Sequence, residues 1–293
     1  MNFRRVSSNI SYILYVIPSF LLFSTFVFYP MIRTGYLSMH TTNFQGAPTA
    51  YVGFEHFRYL IEDRNFRESM KATFLFVLYT VPSTVLISLF LALLANEKLK
   101  GIQLFRTFFS STLGMSVAAS SVIWMFMYNP SIGIVNKLVV ALGGQERQWL
   151  LDPDTALIAV AVATVWMNIG FAFLILLGGL QNIDVTLYES AKIAGVSKIY
   201  QLWRITLPLL SPTLFFIVTV SLIHAFQTFG QIDILTKGGP VNTTTVLVYS
   251  IYREAFVNYN FGFASAQAVV LFFIVLVITI LQFALVERKV HYQ

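Results

Sequence analysis

The sequence predicts an all-α membrane protein with six transmembrane helices, and three observations carry that expectation. First, 57% of the 293 residues are hydrophobic and only 11% are charged, against about 25% charged in a soluble domain. So few charges cannot supply a polar surface for a chain of this length. Second, six stretches contain no Asp, Glu, Lys or Arg: residues 6–32, 72–96, 107–136, 155–183, 205–232 and 255–286. A helix rises about 1.5 Å per residue, so about 20 residues cross a hydrocarbon core of about 30 Å. Each stretch is long enough to cross once and too short to cross twice. Third, the alternating segments of about 10 residues that mark a membrane β-barrel are absent.

The spans are expected at about 11–32, 72–96, 107–128, 155–180, 208–231 and 262–286, within a single membrane domain covering 1–293. Arg4 and Arg5 precede the first apolar run. That run is too long for a signal peptide and no small-residue cleavage site follows, so it is read as an uncleaved first helix. Six spans put both termini on one side, together with the loops 97–106 and 184–204. That side carries ten basic residues (Arg4, Arg5, Lys98, Lys100, Arg106, Lys192, Lys198, Arg204, Arg288 and Lys289) against four acidic ones, in short loops. The other side balances nine against nine. Positive charge in short loops marks the cytoplasmic face, so both termini are expected there. The net +6 is then a topology signal. No clustered basic patch speaks for nucleic acid. With no cysteine in the chain, disulfides and thiolate metal ligands are excluded.

Outer loop one, residues 33–71, places Phe54, Phe57, Leu60 and Ile61 at helical spacing, which predicts a short helix on the membrane face. Its Arg58, Arg64 and Arg67 with Glu62 and Asp63 read as a solvated helix face. Outer loop two covers roughly 129–154. Outer loop three opens on Asp-Ile-Leu-Thr-Lys-Gly-Gly-Pro, a turn signal.

The inner loop 181–209 holds the most information. Thr186-Leu187-Tyr188-Glu189 fits a capping box, in which hydroxyl and carboxylate each satisfy a free backbone N–H. A short helix starting there would carry Leu187, Ala191 and Ala194 on one face. Gly195 permits a left-handed turn or a close contact. A second short helix at about 197–203 would precede Leu207-Pro208, where the chain enters the fifth span and a missing N–H costs little. Small residues let another protein's surface approach closely, and Glu189, Lys192 and Arg204 would fix its register by polar contacts.

The string E-S-A-x3-G-x9-I-x-L-P, from Glu189 to Pro208, resembles the EAA motif of the membrane subunits of ABC importers. Ser190 in place of the first Ala is the one departure inside it. IPSFLLFSTFVFYP, LTKGGP, NFGFASA, FRTFF and NPSIGIVN are similar to the sugar-type branch of that family. Asp184, Ala194 and Ser111-Thr112-Leu113 depart from its usual pattern in the loops. The resemblance implies a type I importer permease fold with a cytoplasmic coupling helix, in a bacterial or archaeal inner membrane. It implies docking to an ATPase through Glu189, Ser190, Ala191, Ala194, Gly195, Leu207 and Pro208. The implied partners are a second homologous permease subunit, two ATPase subunits and an external solute-binding protein. ATP and Mg would be bound by the ATPase subunits. This chain has no G-x-x-x-x-G-K-[ST] loop, so it is read as a non-enzyme without a cofactor of its own.

Polar groups inside spans are candidates for a solute path. His224 and Gln227 sit three residues apart in the fifth span and so share a helix face; Asn168 in the fourth span and Gln267 in the sixth join them. The plainer reading of each is a hydrogen bond between helices. The four histidines (His40, His56, His224, His291) lack paired metal-ligand spacing. Two rival functions stand beside the importer. A self-sufficient secondary transporter or channel needs ionisable groups at mid-membrane, where only His224 fits. An intramembrane enzyme needs a convergent acid–base or metal set, which the sequence does not offer.

Overall fold

The structure is a computed structural model that describes residues 15–97 and 99–286, the side chains of Leu285 and Val286 excepted. Residues 11–14 of the expected first span lie outside the described residues, as do Arg4, Arg5, Lys98, Glu287, Arg288, Lys289 and His291 of the charge and metal readings. The described chain divides into two compact units. One holds the chain up to Asp63 with Ile251–Phe272, and the other holds Arg64–Ser250 with the segment from Phe273 onward.

In the first unit, helix α1 (Tyr15–Leu37) is long and apolar enough to cross a membrane, and none of its apolar window is buried within the chain. Its middle widens at Ser24–Phe28, where the Tyr29 N–H bonds to the Ser24 carbonyl five residues back. Pro30 follows two residues later. A proline has no N–H, and its ring crowds the carbonyl four residues before it, so a widened turn ahead of it is a local accommodation.

Two short antiparallel strands follow, β1 (His40–Thr42) and β2 (Pro48–Tyr51), with His40 opposite Tyr51 and Thr41 opposite Ala50. The all-α expectation needs this correction. The connecting turn has its own chemistry: Asn43 Oδ1 accepts from the N–H groups of Gln45 and Ala47, at 3.0 and 2.9 Å. Gly46 supplies a φ of +77° that other residues rarely adopt. Helix α2 (Glu55–Glu62) is the expected short helix of outer loop one, and it buries His56 and Leu60.

The second unit is built on α3 (Arg64–Asn96) and α7 (Ala156–Gln181). Phe76, Thr80, Thr84, Ser88, Leu91, Ala92 and Ala95 recur at three- and four-residue spacing along the buried face of α3. On α7 the buried side chains Ala156, Ala159, Ala163 and Ala172 are small. Small side chains let helix backbones approach where water offers no driving force between them. Helix α3 starts eight residues before the expected span, because Arg64 and Glu68 form an i,i+4 pair at 2.7 Å that extends the helix beyond the apolar window.

The third expected span, 107–128, is broken. Helix α4 (Ile102–Ser110) and a single 3₁₀ turn (Ser111–Gly114) meet α5 (Val117–Met127) at a bend of 109°. Ser116 starts α5 by accepting from the Ala119 N–H. Among the described residues, five helices are individually long and apolar enough to cross a membrane, or six if the bent pair is one span. Helix α6 (Ile134–Ala141) lies within outer loop two. Its Asn136 is buried and uses both ends of its amide. Nδ2 donates to the carbonyls of Pro130 and Arg147, and Oδ1 accepts from the Arg147 N–H and the Trp149 indole.

Helix α8 (Val185–Ile193) and helix α9 (Lys198–Phe226) follow. The short helix expected at about 197–203 starts at Lys198, capped by Ser197, and runs on through the widened turn Leu202–Thr206 as the beginning of α9. The expected fifth span also ends early, at Phe226, because the chain turns at Gln227 before the short helix α10 (Gly230–Leu235). Helix α11 (Leu247–Tyr252) and its widened continuation Arg253–Val257 lead to the last long helix, α12 (Phe261–Val286).

Candidate functional site

The loop between α7 and α9 is built from the start of α8. The Asp184 carboxylate accepts from the Thr186 N–H at 2.9 Å and caps the helix. These hydrogen bonds favour the ionised form and hold the Asp184 carboxyl below the usual carboxylate range. The capping box expected at Thr186 and Glu189 is therefore corrected. A carboxylate two residues upstream takes the Thr186 N–H, so the helix begins one residue before Thr186. Glu189 is left exposed, and its carboxylate has no hydrogen-bond or ion-pair partner among the described residues.

The helix presents two different sides. Ala191 is buried and Tyr188 packs against the cluster of Leu91, Phe173, Leu176 and Leu210. Glu189, Ser190, Ile193 and Ala194 are exposed, with Ile193 at 89%. Leu187 is also exposed, so the small face expected from Leu187, Ala191 and Ala194 is split between core and solvent. Gly195 ends the helix with a φ of +72° and has open space where a Cβ would sit. What calls for glycine here is thus the left-handed backbone, not a close contact. The Val196 N–H donates to the Ala191 carbonyl and closes the turn.

Leu207 and Pro208 are half-buried in α9. The Leu202–Thr206 turn ahead of them is widened, and the Leu207 N–H bonds to the Leu202 carbonyl. This is the same arrangement as at Pro30. Pro212, inside the same helix, cannot donate to the Pro208 carbonyl; the Ser211 hydroxyl donates to it at 2.7 Å instead. The loop is tied to its neighbours by Lys198 and Glu97, whose Nζ and Oε1 are 3.0 Å apart. Arg106 donates twice to the Ala95 carbonyl, from Nε at 3.1 Å and from a terminal nitrogen at 2.7 Å. A cation on the last carbonyls of α3 satisfies groups that the helix leaves open.

The path candidates fall at different places. His224 lies in the last turn of α9 and Gln227 caps its end. Both are exposed; they were expected inside the fifth span, and the structure puts them at the end of its helix. Asn168 is half-buried in the middle of α7. Gln267 lies in the other unit, only 1% exposed, and its Oε1 has no partner among the described residues. Sequence reasoning missed the two groups of the loop that reach inward, Tyr188 and Thr206. Their signal was present: Tyr188 stands three residues before Ala191, so both fall on one helix face.

Comparisons with known proteins agree with this architecture. Residues 69–292 match the family described as binding-protein-dependent transport system inner membrane component. The chain is 35% identical over 288 residues to the sn-glycerol-3-phosphate transport system permease protein of Pectobacterium atrosepticum, covering 98% of this chain and 97% of the relative. It is also 35% identical to the protein of that name from Agrobacterium fabrum, over 95% of both chains. Among solved structures, a chain of a bacterial ABC transporter involved in the import of the acidic polysaccharide alginate shares the fold. Its TM-score is 0.84 at 24% identity, over 97% of this chain and 99% of that one. A match at this level over most of the chain is decisive: the protein is an inner membrane component and belongs to the binding-protein-dependent transport system family.

Proposed function

We propose that this chain is one of two membrane subunits of an ATP-driven importer for a carbohydrate-type solute, with residues 1–293 acting as a single permease domain and both termini cytoplasmic. The observation that carries the reading is the exposed side of α8. Glu189, Ser190, Ala194 and Gly195 face outward, small and polar, on a helix whose inner side packs against the long helices. A carboxylate without a partner among the described residues, beside a left-handed glycine turn, suits a groove on a second protein. ATP and Mg act in that protein, not in this chain.

The solute class is drawn from the relatives, which are named for sn-glycerol-3-phosphate transport. The external binding protein delivers the solute. His224 and Gln227, exposed at one helix end, and Asn168 on α7 are proposed to line the path, and Gln267 is a separate candidate in the other unit. A second permease subunit covers α1, whose apolar window is left uncovered by this chain.

Co-expression with the cognate ATPase and partner permease tests the reading. The ATPase copurifies with the wild-type chain, and Glu189→Ala or Gly195→Asp weakens that association and lowers uptake. Unchanged assembly and uptake in both variants would remove the docking assignment. Solute uptake by the purified chain alone in liposomes, without ATP, would favour the secondary-transporter reading instead.

A further inference from the structure

We infer that the hydrogen-bonded ring Tyr188–Thr206–Gln201–Val196 is the mechanical link between the docking helix and the membrane, and that Tyr188 and Thr206 are its positioning residues. The inference rests on the proposed docking role of α8.

Tyr188 OH and Thr206 Oγ1 are 3.0 Å apart. Thr206 Oγ1 donates to the Gln201 carbonyl at 3.4 Å, so the Tyr188 hydroxyl is the donor to Thr206. Gln201 Nε2 then donates to the Val196 carbonyl at 2.9 Å. The Val196 N–H returns to the Ala191 carbonyl at 3.0 Å, one turn of α8 beyond Tyr188. The ring thus joins the middle of α8, the glycine turn and the base of α9.

Its position in the fold gives the ring its purpose. Thr206 is 5% exposed and is the last residue of the widened turn Leu202–Thr206. In such a turn the hydroxyl reaches the carbonyl five residues back. Widened turns of this kind recur at functional sites. They are points where a helix can change its pairing without losing all its bonds. Tyr188 also packs against the buried cluster that α3, α7 and α9 build together. A force on the exposed side of α8 therefore reaches α9 through a part-buried hydroxyl pair. The Lys198–Glu97 pair, with side chains 88% and 55% exposed, is screened by water and can do little of this work.

The test uses the assembled complex, with partner permease, ATPase and external binding protein, reconstituted in liposomes. The variants are Tyr188→Phe, Thr206→Val, the double change, and Thr206→Ser, which keeps the hydroxyl. Three quantities are read: ATPase copurification, melting temperature, and solute taken up per ATP hydrolysed. Assembly and melting temperature are expected to hold. Uptake per ATP falls about fivefold in Tyr188→Phe and in Thr206→Val, the scale of one neutral hydrogen bond. It falls no further in the double variant, and Thr206→Ser restores it. Uptake per ATP within about twofold of wild type in Tyr188→Phe, with assembly intact, overturns the link. A loss that tracks a lowered melting temperature also overturns it, since that marks a purely structural bond. Intact assembly in Gly195→Asp separates the other failure: the docking reading itself falls and takes this proposal with it.

Discussion

Gly178 and Gly179 are neighbours in α7, and replacing each by alanine should give opposite results. At Gly178 an added Cβ meets nothing within 4 Å. At Gly179 it would lie 2.6 Å from Thr213 Oγ1, 2.8 Å from Leu210 Cδ1 and 3.0 Å from Thr213 Cγ2. Ordinary contacts of this kind are about 3.5–4.0 Å. Thr213 cannot relieve the clash by rotating, because both branches of its Cβ face the position and rotation exchanges one for the other. Leu210 has no exposure at all. Both substitutions gain the same helix propensity, about 1 kcal/mol. The difference between the variants therefore isolates overpacking, about 1–3 kcal/mol. Thermal unfolding of the detergent-purified chain is the assay. Gly178→Ala should match or exceed wild type, and Gly179→Ala should melt below Gly178→Ala by on the order of 5 °C. Equal melting temperatures would refute the close approach of α7 and α9 at this level.

Other predictions rest on separate contacts. Arg106→Gln removes the guanidinium from the Ala95 carbonyl and should cost about 1–2 kcal/mol, read as a lowered melting temperature. Asn136→Ala leaves the Trp149 indole and three backbone groups without their partner. Hydrogen exchange should rise across 129–155, at a cost of about 2–4 kcal/mol. Lys198→Ala breaks only an exposed pair, so melting should move by less than about 0.5 kcal/mol. Asp184 predicts an acid dependence. Its folded carboxyl titrates below the ordinary value of 3.8, so the cap's contribution is present above that value and is lost as pH falls through the folded one. Hydrogen exchange in α8 should rise on that descent in the wild-type chain, while Asp184→Asn shows no such step.

The sequence disclosed the long apolar helices, because charge is excluded from hydrocarbon whatever the tertiary structure. It disclosed their ends less well. Arg64, Arg67, Glu68 and Lys71 lie in the first turns of α3, where helix and water coexist and an apolar window stops short of the true start. The bend between α4 and α5 carried a local signal, Gly114 followed by the capping Ser116, hidden within a charge-free run. The β-turn at Asn43–Gly46 was similarly marked by its residues. In the loop between α7 and α9, Glu189, Ser190, Ala194 and Gly195 are exposed while Ala191 is buried, a split that the motif spacing does not distinguish. The cap was misplaced because the Asp184 carboxylate takes the Thr186 N–H that the Glu189 carboxylate was expected to satisfy. The inward pair Tyr188–Thr206 spans 18 residues and depends on a widened turn whose only mark in the sequence is Pro208, two residues beyond it.

The most direct test of the account uses the absence of cysteine from the chain. Ala194→Cys places a sole thiol on the exposed side of α8, and Leu142→Cys places one on the exposed outer loop two. Each is expressed in membranes with the partner permease and an ATPase subunit, then treated with a thiol cross-linker. The account predicts an adduct with the ATPase from Ala194→Cys and none from Leu142→Cys. An adduct from Leu142→Cys, or none from Ala194→Cys in a complex that still copurifies, would contradict it.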